Sequence, residues 1–145
     1  MNPLCARPTD DSLVARKVAT LEFGLYGATA YLNRTDRPRG EKDLARHAWV
    51  GFDASLERTP ETRWLLERDV TFAIRANSPV AVYAATAAGG GLAAIASFFA
   101  ARYPELERVL PDVALPSRDV WLVSHRDLAR SAKVRALSEF VRGLL

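Results

Sequence analysis

The longest uncharged run in the chain, residues 76–101 between Arg75 and Arg102, holds three different local patterns in succession. Asn77 and Ser78 precede Pro79, a helix-start pattern: side chains able to accept from free backbone N–H groups, then a proline whose φ is already near its helical value. Residues 80–88 are mostly alanine and other apolar residues. Gly89, Gly90 and Gly91 follow, and glycine can take the left-handed conformation that ends a helix. Leu92, Ala93, Ala94, Ile95 and Ala96 are then short and apolar enough for a buried strand. The run predicts helix, glycine turn, strand. Its glycine triplet, its proline and the small transfer energy of alanine argue against a bilayer span.

The flanking pattern extends this order. Residues 12–18 and 21–26 are branched and aromatic-rich and predict two strands or one long bent one. Thr29 is placed to cap a short helix at residues 30–32. Residues 34–40 are polar around Pro38 and predict a loop, residues 41–45 one or two helical turns, and residues 48–52 a strand. Thr59, Pro60 and Glu61 repeat the helix-start grammar, with an acid facing the positive end of the helix dipole, and that helix runs to about Arg68. Val70, Phe72 and Ile74 alternate with Thr71, Ala73 and Arg75, the period-two pattern of a strand whose end delivers Asn77. Residues 98–103 predict a short helix closed by Pro104, residues 106–110 a strand, and residues 111–118, with two prolines, a connector. Residues 119–124 predict a last strand. Ser131 begins a helix with Val134, Leu137, Phe140, Val141, Leu144 and Leu145 on one face, which needs something to pack against. Alternating strands and helices predict an α/β fold with a largely parallel sheet.

Composition narrows the class without changing the fold. At 145 residues, 49% hydrophobic and 26% charged, the chain has the size and make-up of one soluble globular domain. The net charge of +3 is small, and its basic residues are arginines apart from Lys17, Lys42 and Lys133, spread along the whole length. No basic run marks a phosphate-tracking surface. Cys5 is alone, which excludes an internal disulfide and a cysteine-based metal cage. Residues 1–9 contain no apolar h-region, so no export is predicted and a cytoplasmic location is expected.

Candidate chemistry is sparse. Gly89, Gly90 and Gly91 lack the spacing of the dinucleotide fingerprint and of the P-loop, and they follow a helix instead of a strand, the reverse of what phosphate cradling requires. Ser124, His125 and Asp127 are neighbours at a strand end, where side chains diverge, so they do not form a hydrolytic triad. His47 has no second ligand at metal spacing. Glu105 and Glu107 are expected to face solvent. No catalytic constellation, cofactor motif or metal site is predicted. The feature that does suggest a ligand is a pair of helix N-termini, at Thr29 and at Asn77 and Ser78, each following a predicted strand. Ligands of open α/β sheets gather at the carboxyl ends of strands, and free N–H groups there suit an anion such as a carboxylate.

Taken in order, the chain resembles the effector-binding domain of LysR-type transcriptional regulators. The resemblance is carried by residues 12–26 (SLVARKVATLEFGLY), by Ala30, Tyr31 and Leu32 with Arg37, Pro38 and Arg39, by residues 43–47 (DLARH) and by Val50, Gly51 and Phe52. It continues through Arg63, Trp64 and Leu65, Asn77 and Ser78, residues 89–96, and residues 120–145 (VWLVSHRDLARSAKVRALSEFVRGLL). It implies an α/β fold like the type 2 periplasmic binding proteins, with an effector in the cleft between two lobes. On that pattern residues 25–110 are the second lobe, nearly whole, residues 12–18 the crossover, and residues 120–145 the return into the first lobe. The rest of the first lobe and a helix-turn-helix are not matched, which implies a truncated form with no direct DNA contact from this chain. Carried over by position, the ligand-binding residues are Gly27, Ala28 and Thr29, and Asn77 and Ser78. Gly27, Ala28 and Thr29 stand where the family usually has a Ser-Pro turn, and Ala96 where a proline usually follows. The expected function is effector sensing in transcription regulation, with no enzymatic role, no membrane contact and room for homo-oligomers. A free-standing small-molecule-binding module with no role at DNA is the other class. The unpartnered face of the last helix predicts marginal stability and association.

Overall fold

The helix predicted after Pro79 and the glycine turn predicted to end it both form, and the strand that follows is the innermost of a five-stranded sheet. The computed structural model describes residues 11–145; Cys5 and residues 1–9, on which the export expectation rests, lie outside the described residues. The strands are β1 Leu13–Leu21, β2 Phe23–Ala28, β3 Ala48–Phe52, β4 Thr71–Ala76, β5 Leu92–Ala96, β6 Leu106–Val109 and β7 Arg118–His125. The helices are α1 Thr29–Leu32, α2 Pro60–Leu66, α3 Pro79–Ala87, α4 Ser97–Ala100 and α5 Ala132–Leu144, with 3-10 turns at Glu41–Arg46 and Arg126–Leu128. Contacts divide the described chain into two compact units, residues 22–117 and residues 11–21 with 118–145.

In the larger unit the sheet order is β4-β3-β5-β2-β6. β3 pairs in parallel with β4 and β5, whereas β2 is antiparallel to both β5 and β6. The sheet is therefore mixed, where the alternation of elements predicted a largely parallel one. Four strands share one direction and β2 opposes them, because it enters the sheet between β5 and β6 from the edge at which those two strands end. β5 is apolar on both faces, with Leu92, Ala93 and Ile95 at zero exposure, since helices cover the sheet on both sides. On one face Tyr26, Val50, Phe52, Ala93 and Ile95 pack against Val82 and Tyr83 of α3. On the other Trp49 is fully buried, and its Nε1–H donates to Leu44 O at 2.8 Å, which satisfies the one polar atom that burial would otherwise orphan.

The turn between α3 and β5 shows why three glycines stand there. Gly90 N–H donates to Ala85 O and Gly89 N–H to Thr86 O, both at 2.9 Å, the Schellman pattern, with Gly89 at φ 87°. A Cβ on Gly91, at φ 150°, would lie 2.4 Å from Ala48 O, so backbone passes backbone there with no room for a side chain. The Arg34 guanidinium donates to Gly89 O at 2.5 Å, a positive group at the negative end of α3.

In the smaller unit β1 and β7 form an antiparallel pair with a bulge between Lys17 and Ala19. Asp119 binds Lys17 Nζ at 2.6 Å and accepts from Thr20 Oγ1 at 3.1 Å across that pair. α5 is capped as predicted: Ser131 Oγ accepts from Val134 N–H at 3.2 Å. Among the described residues no helix is long and apolar enough to cross a membrane.

Candidate functional site

The register of the larger sheet decides which predicted site residues can act together. Phe52 stands opposite Ala76 and Phe23 opposite Ala96, so the ends of β3, β4 and β5 and the start of β2 share one edge. Gly27 stands opposite Leu92 and Ala28 opposite Leu106, so the end of β2 lies at the other edge, with the starts of β5 and β6. Asn77 and Ser78 follow β4 at the first edge. Gly27, Ala28 and Thr29 are at the second, about 17 Å away along a six-residue strand. The expectation of two helix N-termini in one wall took both preceding strands to run the same way, and the antiparallel direction of β2 separates them.

Two of the three residues in the second group are also closed off, Thr29 alone being exposed. Gly27 and Ala28 are buried in the sheet, and a Cβ on Gly27 would meet Leu92 Cδ2 at 2.7 Å. Thr29 is not the cap of α1 but its first residue; the cap position is Ala28. The Thr29 N–H and hydroxyl both donate to Glu105 O, at 2.9 and 3.3 Å, which ties α1 to the segment before β6. The neighbouring Thr29 hydroxyl first, and then Arg37, which lies 2.9 Å from the Glu107 carboxylate, hold the Glu107 carboxyl below the usual range.

The first edge is open. Asn77 is exposed and Ser78 half-buried, in extended backbone at φ −138°, and the Ser78 hydroxyl accepts no capping hydrogen bond. Pro79 has no N–H, and the first intrahelical bond is donated by Val82 to Ser78 O at 3.1 Å. The amides of the first α3 turn therefore point outward at a position where the helix dipole favours negative charge. Beside them Asp53 N–H donates to Ala76 O at 3.0 Å, joining the ends of β3 and β4. The Asp53 carboxyl is held below its ordinary range first by the Ser55 hydroxyl and then by the Ser55 N–H, at 2.5 and 2.9 Å, so its charge is already engaged.

Further along the same edge, where β2 begins and β6 ends, a recess of about 310 Å³ is lined by Glu22, Phe23, Ser97, Arg108 and residues 111–115. It lies roughly 14 Å, three strand spacings, from the end of β4. No sequence signal singled it out except the proline at 111, because its walls come from four separate segments.

The other candidates do not assemble into chemistry. His125 Nδ1 lies 3.3 Å from Asp127 Oδ2 at an exposed strand end, and Ser124, the preceding residue in an extended strand, points to the other side. His47 Nδ1 shares a hydrogen bond with Tyr31 Oη at 3.1 Å, and the same hydroxyl oxygen accepts from Ala48 N–H at 3.1 Å, so His47 is engaged in a structural contact. Among the described residues no group of three His, Cys, Asp or Glu side chains is arranged to hold a metal.

Comparison with known proteins bears on the family and the fold. The family model for the LysR substrate binding domain matches residues 4–145. No curated protein matches in sequence. Among solved structures, the regulatory domain of CrgA, a LysR-type transcriptional regulator from Neisseria meningitidis, superposes with a TM-score of 0.75 at 18% identity, covering 96% of this chain and 72% of that one. The regulatory domain of the C227S variant of AphB from Vibrio vulnificus gives 0.67 at 23% identity, covering 94% and 73%. Full-length AphB, the Vibrio cholerae virulence activator, gives 0.69 at 21% identity, and here the chain spans 49% of its length while 94% of this chain is covered.

Proposed function

The chain belongs to the LysR substrate-binding domain family of α/β, type 2 periplasmic-binding-protein-like regulatory domains, and on that premise we propose that it senses a small-molecule effector for transcription regulation. The family match across residues 4–145 carries this proposal. The edge at Asn77 and Ser78 is the contact surface. It lies at the carboxyl ends of β3, β4 and β5, and it presents uncapped first-turn amides of α3. The effector class is a small carboxylate, which those amides and the helix dipole would hold by charge-assisted hydrogen bonds. Gly27, Ala28 and Thr29 have no part in this contact, being at the opposite edge. The division of contacts at residues 22–117 supports assigning residues 25–110 to the second lobe, residues 12–18 to the crossover and residues 120–145 to the return segment of the first.

Thermal-shift and calorimetric titration with small aliphatic carboxylates and aromatic acids tests the proposal. A true effector at a hundredfold excess over its Kd stabilises the chain by about 2.7 kcal/mol. Asn77→Ala should weaken that ligand without lowering the unliganded melting temperature, since Asn77 is exposed. If no member of the series stabilises the chain, the sensing role fails.

A further inference from the structure

The recess at the start of β2 brings together charges of both signs that leave one another alone. Glu22 and Asp112 supply carboxylates and Arg108 a guanidinium, while Phe23, Val113 and Leu115 give it an apolar floor. Among the described residues these three charged side chains make no ion pair with each other or with any other group. The guanidinium stem is held in place: Arg108 Nε and Cζ lie 3.1 and 3.3 Å from where a Cβ on Gly24 would be, so Arg108 lies over the bare backbone of β2. Phe23 and Leu115, both in the lining, are buried, at 4% and 9% exposure.

The connector that forms one wall is held in a demanding conformation. Leu110 has φ 48°, left-handed backbone that a leucine rarely adopts, directly before Pro111, which itself restricts the residue ahead of it. Val113 N–H donating to Leu110 O at 3.0 Å closes the turn. Left-handed non-glycine residues persist where the surroundings over-determine them, and they gather at ligand-holding sites.

We propose that this recess is a second small-molecule site, on the same edge as Asn77 and Ser78 but separate from them, that takes a zwitterionic ligand of amino-acid size with an apolar side chain. The ligand carboxylate pairs with Arg108, its ammonium with Glu22 and Asp112, and its side chain covers Phe23 and Leu115. The volume suits one such molecule, being at the small end of the range for ligand pockets. The lining carries one more acid than base, so a ligand with a carboxylate alone would face two unneutralised acids, and an amine alone would leave Arg108 unpaired.

Calorimetry of the whole chain with L-phenylalanine, N-acetyl-L-phenylalanine and phenethylamine tests it without any variant. The intact zwitterion should bind in the millimolar range or tighter, and removal of either charge should weaken binding about tenfold or more. Arg108→Gln, at an exposed position, should weaken L-phenylalanine to the level of phenethylamine, and Asn77→Ala should leave it unchanged. Equal binding of the three compounds, no binding of L-phenylalanine, or indifference to Arg108→Gln would overturn the proposal. Loss of L-phenylalanine binding in Asn77→Ala would also overturn it, by placing the ligand at the effector edge, and would leave the sensing role standing.

Discussion

Two residues, His47 and Gly91, show how local chemistry becomes a measurable property of the fold. Burial is the largest influence on His47 and pushes its pKa below the ordinary value near 6.5, against the opposing charges of Asp43 and Asp36. Above that ordinary value the ring is neutral in both folded and unfolded chains, and the Tyr31 bond is fully present. As the pH falls through it, the unfolded chain takes up the proton first, so stability declines until the lower folded pKa is passed. Unfolding free energies measured from about pH 8 to about pH 5 should show this fall in the wild type and lose it in His47→Gln. The depressed carboxylates Asp43, Asp53, Glu107 and Asp119 act near pH 4 and below, a separate window. Gly91 makes a steric case: Gly91→Ala should destabilise the chain by more than about 3 kcal/mol, since both φ and the Ala48 carbonyl oppose a side chain. Gly40→Ala, at extended φ −168° with nothing near its Cβ, should be within about 0.5 kcal/mol of wild type, and equal melting of the two variants would contradict this account.

At the scale of elements, the legible features were those written in neighbouring residues. Pro79 and three glycines bounded α3, and Ser131 announced α5, because capping and turn chemistry act within about four residues. The predicted caps differ in what they do, though. Ser131 accepts a backbone N–H, whereas Thr59 gives its hydroxyl to Thr62 Oγ1 at 2.8 Å and Ser78 caps nothing. Ser131→Ala should therefore cost about 1 kcal/mol and Ser78→Ala only a few tenths, compared by denaturant midpoint. Helix α2 ends at Leu66 instead of near Arg68, because Arg68 turns back to bond Trp64 O and pairs with Glu41 at 2.6 Å, a tertiary contact no local pattern encodes. Strand direction was hidden for the same reason. Apolar periodicity marks β2 as a buried strand equally well in either direction, and only its pairing with Leu92 and Leu106 shows that Thr29 and Asn77 lie at opposite edges. The candidate site was thus half legible: Asn77 and Ser78 are where the pattern put them, and the recess, built from four segments, was out of reach.

For the whole molecule, the two units carry unequal amounts of core. Residues 22–117 hold nearly all the fully buried large side chains, including Trp49, Leu25, Leu92 and Ile95, each worth about 1.5–3 kcal/mol on burial. The smaller unit rests on a two-stranded pair, an arrangement of marginal stability by itself, with Val18 and Ser138 among its few buried side chains. Its helix leaves Leu137 at 47%, Phe140 at 64% and Leu144 at 44% exposure, so the apolar face that the pattern of residues 131–145 marked as needing a partner stands open. Two consequences follow from that inequality. Amide exchange should be fastest in β1, β7 and α5 and slowest in β5, since local opening starts where the buried apolar contacts are fewest. The open face should also drive association. Light scattering over a concentration series should show reversible self-association in the wild type, and Leu137→Glu combined with Phe140→Glu should shift it towards monomer without lowering the protection of β5. A wild-type chain that stays monomeric at every concentration, or exchange equally slow in both units, would show that this face is covered from within the chain.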